Sequence, residues 1–145
     1  MYKLIGDPSH NLLEARLWGC LDVAEVGMFV SDLRGHLTGG KLRPGHMMLV
    51  DVTGCAIQAQ ATVNAFHAQS QDLPRASRIA VVTGCSVVRM QARRIMRQPY
   101  AKLFDDRAGA LAWLMGREGE RPNTVAPAVH AAIAPAVHAA IAPAA

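Results

Sequence analysis

No stretch of uninterrupted apolar residues in this chain approaches the ~20 needed to cross a bilayer, and Asp7 and Pro8 stand where a secretion signal would carry its apolar segment. A cytoplasmic address is the expectation. Cysteine is scarce: Cys20, Cys55 and Cys85 are odd in number and widely spaced, a pattern of reduced thiols rather than a disulfide framework. No Cys-x-x-Cys pair occurs and no histidine stands at ligand spacing from a cysteine, so no metal is expected. Catalytic signatures are also missing. There is no Gly-x-Ser-x-Gly elbow, phosphate-binding glycine loop or dinucleotide fingerprint, and His46 and His67 have no nucleophile or carboxylate at motif spacing. The chain reads as a non-enzyme that needs no cofactor. Aromatic residues make up only 5% of it, and Tyr100 alone lies near the basic region to offer a stacking ring, which argues against nucleic acid.

The 145 residues are 51% hydrophobic and 18% charged, a globular balance for one domain. Composition breaks near residue 120. From Arg121 to Ala145 there are eleven alanines and four prolines, with no charged side chain after Arg121. Pro127-Ala-Val-His-Ala-Ala-Ile-Ala repeats from Pro135, and Pro143 begins a third copy. We therefore divide the chain into a folded domain, 1–118, and an Ala/Pro-rich tail, 119–145, flexible or ordered only on a partner. Charge is uneven as well. Residues 1–70 carry five basic and six acidic groups, net −1, whereas 71–121 carry ten basic and five acidic, net +5.

Periodicity predicts strands at Tyr2–Ile5 and Leu12–Trp18 around an Asp7-to-Asn11 turn. Asp22 with Glu25 fits a capping box, and Val23, Val26, Val30, Leu33 and Leu37 stripe the helix that follows as far as Gly39-Gly40. Met47–Val50, ending at Asp51, and Ile79–Val82 are continuous apolar runs of the kind found in doubly covered parallel strands. Between them, Ile57–Gln71 reads as a helix with Val63, Phe66 and His67 on one face. Ser86 is placed to cap a third helix that Pro99 ends, Ala101–Phe104 forms a last strand, and Asp106 caps a final helix through Trp113. Alternation of this kind implies an α/β fold with a mixed, mostly parallel sheet and crossover helices.

Over about residues 1–116 this order resembles the STAS domains, in particular the SpoIIAA-like relatives of anti-sigma-factor antagonists. The resemblance is carried by Asp51-Val52-Thr53-Gly54, similar to the family's Asp-x-Ser/Thr-Gly, and by Lys102-Leu103-Phe104 with the helix from Asp106 to Leu114. It implies a regulatory or scaffolding module that docks a protein partner through a rim of Asp51, Thr53, Gly54, Cys55, Ala61 and Thr62. In antagonist members a serine at the start of the second helix is phosphorylated; by the same resemblance Ala61 occupies that position here, with Thr62 the nearest hydroxyl, either a phospho-acceptor or a solvent-facing residue. SpoIIAA-like proteins are also linked to membrane association and to apolar ligands, which gives the alternative function: a binder of lipid or a small apolar molecule.

Two further features bear on these readings. Gly19-Cys20, Gly54-Cys55 and Gly84-Cys85 each follow a predicted strand, as reactive thiols gathered at the sheet's carboxyl edge or as plain small fillers after tight exits. Arg89, Arg93 and Arg97 recur every four residues, predicting one helix with a basic stripe that is either solvated or placed against an anionic membrane or acidic partner, with Val88, Met90, Ile95 and Met96 toward the sheet. Self-association is a further expectation.

Overall fold

In a computed structural model, residues 1–116 are described; the repeat tail, and with it the tail's proposed behaviour, lies outside them. Nine elements follow in order: β1 (Tyr2–Asp7), β2 (Leu12–Gly19), α1 (Val23–Thr38), β3 (Met47–Cys55), α2 (Gln60–Gln69), β4 (Arg78–Val82), α3 (Ser86–Ile95), β5 (Ala101–Phe104) and α4 (Arg107–Leu114). The strands form one sheet in chain order, β1 antiparallel to β2 and every later neighbour parallel. The expected mixed, mostly parallel α/β sheet is thus observed.

Alternation along the strands sends their side chains to two separate cores. Leu13, Ala15 and Leu17 of β2 join Val26, Phe29, Val30 and Leu33 of α1, with Met48, Val50 and Val52 of β3 and Phe66 of α2 against them. On the opposite face Leu12, Leu49, Ala80 and Val82 pack with Ala110 and Leu114 of α4. Strand β3 is therefore covered on both sides, which is why its apolar run is continuous. The cover on the second face stops short of β1, where Ile5 is 47% exposed.

Local chemistry sets the helix boundaries. The capping box forms as expected: Glu25 N–H donates to Asp22 Oδ1 at 2.7 Å and Asp22 N–H to Glu25 Oε2 at 3.1 Å. Phe29, and not Val23, completes the buried stripe; Val23 in the first turn is 48% exposed. Asp106 caps α4 through a 2.6 Å bond from Gly109 N–H. Three expectations are corrected. Strand β3 continues four residues past Asp51, because its partner β2 runs on with it, through a register shift between Arg16 and Trp18, to Gly19 opposite Cys55. Helix α2 begins at Gln60, leaving Ile57 in the preceding connection. Ser86 is the first residue of α3, and Cys85, whose side chain makes no cap bond, occupies the cap.

Gly54 is required by that register shift. A Cβ at this position would lie 2.8 Å from Trp18 Cβ, closer than two carbons approach without displacement. The glycine of the Asp-x-Thr-Gly motif is therefore required by strand packing before any function is considered.

His46, just ahead of β3, is 3% exposed, and its Nε2 has no hydrogen-bond partner. Desolvation holds its pKa below the usual 6.5. The unfolded chain accepts a proton on this imidazole near pH 6.5 and the folded chain resists it, so the stability is present above that pH and falls as pH drops below it. Urea unfolding at pH 7.5 and 5.5 should show a loss at pH 5.5 that His46→Gln reduces; an equal loss in both proteins would exclude this buried histidine as the cause.

Candidate functional site

The residues expected to form one docking rim separate into four environments. Asp51, 9% exposed, belongs to the face shared with α4 and Leu49; its Oδ1 accepts from Thr53 N–H at 3.0 Å and Thr53 Oγ1 at 2.6 Å. Arg16 Nε stands 3.5 Å from Asp51 Oδ2 and also approaches Glu14, which Arg107 of α4 holds at 2.6 Å. This chain of charges ties β2, β3 and α4 together beside the uncovered part of the second face. Cys55 turns to the other face, and Ala61 is exposed in the first turn of α2. Thr62 is neither an accessible acceptor nor a solvent-facing residue. It is 2% exposed, and its hydroxyl donates to Leu21 O at 2.9 Å, binding α2 to the segment ahead of α1.

The Gly-Cys dipeptides are likewise not equivalent. Gly19 leaves β2 with φ +75°, as a tight exit requires, but Gly54-Cys55 lies inside β3. Cys20 and Cys85 are exposed, while Cys55 is half-buried. Burial pushes the Cys55 thiol up to about 11, away from the thiolate a reactive cysteine needs. Among the described residues no group of three His, Cys, Asp or Glu is placed to hold a metal ion.

The arginine series does not form one stripe. Arg89 folds back to donate to Thr83 O at 3.2 Å and pairs with Asp105. Helix α3 ends at Ile95, so Arg97 lies beyond its C-cap Met96; Arg93 and Arg97 are exposed. Met90, expected toward the sheet, is 56% exposed. Among the described residues no helix is long and apolar enough to cross a membrane.

What the sequence reading did not locate is a cavity of about 590 Å³ between the first face of the sheet and helices α1, α2 and α3. Phe29 and Leu33 line it from α1, Val50 from β3, Val63 and Phe66 from α2, and Val81 from β4. Its origin lies in α3. In Ser86–Ile95 the only buried side chain is Val88, and the inward series Val88, Ala92, Ile95 places a methyl group at its centre. The three arginines cannot be buried to bring this helix down onto β4. The signal was present in the sequence as a small residue in the middle of a short apolar stripe.

At the carboxyl end of the sheet the space between α2 and α3 is spanned by two glutamines. Gln58 N–H donates to Gln91 Oε1 at 3.1 Å, and Gln91 Nε2 returns a 2.8 Å bond to Gln58 O. The Gln58 side chain also accepts from Leu21 N–H and donates to Gly19 O and Ala56 O. One amide thus fixes the exits of β2 and β3 together.

Two outcomes follow from these placements. Thr62→Val should cost about 1 kcal/mol in chemical unfolding, as expected for a single buried hydrogen bond, while Thr62→Ser retains most of the stability. Alkylation at pH 8 followed by peptide mass mapping should label Cys55 at least about tenfold more slowly than Cys20 or Cys85; equal rates would contradict the burial of its thiol.

No protein-family profile and no curated protein matches the sequence. Solved structures do. An uncharacterised DUF3478-family protein with a SpoIIAA-like fold from Shewanella loihica PV-4 superposes with a TM-score of 0.61 at 19% identity, over 78% of this chain and 93% of that one. The anti-sigma factor antagonist SpoIIAA in its unphosphorylated form gives 0.57 at 14% identity, over 80% and 99%. An anti-sigma factor antagonist from Mycobacterium paratuberculosis gives 0.50 at 12%, over 79% and 94%. At these identities the likeness is one of architecture, and it agrees with the strand and helix order described above: the chain has a SpoIIAA-like fold.

Proposed function

We propose that this protein is a non-enzymatic binding module that takes a small apolar ligand between its sheet and helices α1 to α3. The observation that carries this reading is the cavity of about 590 Å³, whose volume falls within the range of small-molecule sites and whose walls come from the rings of Phe29, Phe66 and Tyr100 and a set of aliphatic side chains. Apolar surface facing such a space gains roughly 25 cal/mol for every Å² that a ligand removes from water. Polar groups are confined to the ends, a distribution suited to an elongated occupant.

Ala92→Trp should fill the space without exposing new apolar surface. The neutral fluorophore N-phenyl-1-naphthylamine is expected to bind the natural protein with increased emission, and Ala92→Trp should weaken that binding by at least about tenfold while leaving a cooperative thermal transition. Undiminished binding to a folded Ala92→Trp protein would remove the cavity as the site.

Docking of a protein partner at the carboxyl rim is a second reading, favoured by three exposed apolar side chains. Ile57, Val87 and Met90 are 59%, 41% and 56% exposed and stand on the two segments that the Gln58 and Gln91 bonds join, close to the exposed Ala61. An apolar group of this kind suits the core of a protein interface. Capture of a partner from the cell's own lysate should be lost with Ile57→Asp or Ala61→Arg at unchanged melting temperature; capture that persists in both variants would exclude the rim.

A further inference from the structure

The cavity's two ends differ in a way that specifies its ligand. At the carboxyl end the lining residues Cys55, Gln58 and Gln91 are half-buried, and the glutamine bonds bridge the gap between α2 and α3. At the amino end the lining residues Gln71, Pro74, Arg75 and Gln98 are exposed. The mouth therefore opens between the 70–77 connection and the 96–100 connection.

Positive charge surrounds that mouth. The Arg75 guanidinium carbon lies 4.7 Å from the centroid of the Tyr100 ring, which also lines the cavity. Tyr100 is itself held by its carbonyl, which accepts from Ile79 N–H at 2.8 Å. The ring thus fixes the cation beside the opening, and among the described residues no carboxylate pairs with Arg75. Arg97 sits between Met96 and Gln98, two residues of the lining, and Arg93 and Arg94 occupy the last turn of α3. From Ala92 to Tyr100 there is no acidic residue, and Asp72 is the one carboxylate on the 70–77 connection.

We infer that the ligand is a single-chain fatty carboxylate, bound with its alkyl chain among Phe29, Leu33, Val50 and Phe66 and its carboxylate against Arg75 at the amino-end mouth. This rests on the cavity reading above and adds the ligand's class and direction. A guanidinium presents paired N–H donors that match a carboxylate, and one already stacked on a ring loses less conformational freedom when it binds. Long-range attraction from Arg93, Arg94 and Arg97 would speed capture and be weakened by salt.

Displacement of N-phenyl-1-naphthylamine from the full chain by decanoate and by 1-decanol, at pH 7.5 and submicellar concentrations, tests this directly. Arg75→Gln should raise the decanoate Kd about tenfold, the loss expected for one charge-assisted contact, while the 1-decanol Kd changes less than about twofold; Arg75→Lys should restore part of the difference. If Arg75→Gln leaves decanoate binding unchanged, or weakens both ligands equally, the assigned direction is overturned while binding of 1-decanol still upholds the cavity. If neither the fluorophore nor 1-decanol binds, the cavity reading itself fails.

Discussion

Strand β3 has to bury both of its faces, and the rest of the architecture is arranged around the unequal ways in which this is done. On one side α4 lies directly over Leu49, Ala80 and Val82, closing a small, dense core. On the other, the long helix α1 covers β2 and the near half of β3 with Phe29, Val30 and Leu33. What remains over β4 falls to α3, which carries too much charge and too little apolar volume to settle there. A parallel sheet normally demands dense cover on both faces. Here one quadrant is left as a cavity.

That deficit connects the separate observations. Ala92 leaves the space, and the bonds between Gln58 and Gln91 tie the segment that enters α2 to the middle of α3 at the carboxyl end of the sheet. Arginines concentrated at the far end of α3 border its mouth. Helix α3 thus combines a thin apolar stripe with a charged outer surface, which suits an element that roofs a binding space better than one that completes a core. Unlike that quadrant, Asp51 is drawn into the packing of the second face, where it accepts from Thr53 and faces Arg16, while Arg16 and Arg107 both approach Glu14 beside it.

Element order, the capping box at Asp22 and the continuous runs of β3 and β4 are all local or strictly periodic signals, and they were legible in the chain. The six-residue rim was less so. Asp51, Thr53 and Cys55 are two apart, so strand alternation alone would place them on one face, yet the register shift before Gly54 turns Cys55 to the other side of the sheet. Thr62 seemed a surface hydroxyl because helix periodicity does not reveal that Leu21 O, 41 residues earlier, stands within 2.9 Å of it. The basic stripe failed for another reason: regular spacing of four continues through Arg97, but the helix does not.

Sequence alone determined the class of the fold, because apolar periodicity and caps are written in neighbouring residues and admit few ways of covering a parallel sheet. It also determined that positive charge would gather in the second half of the chain. Only the tertiary structure decided where that charge is used. The cavity exists through what several distant segments leave unfilled, and empty volume is a property of helices set against a sheet, which no local pattern of residues encodes.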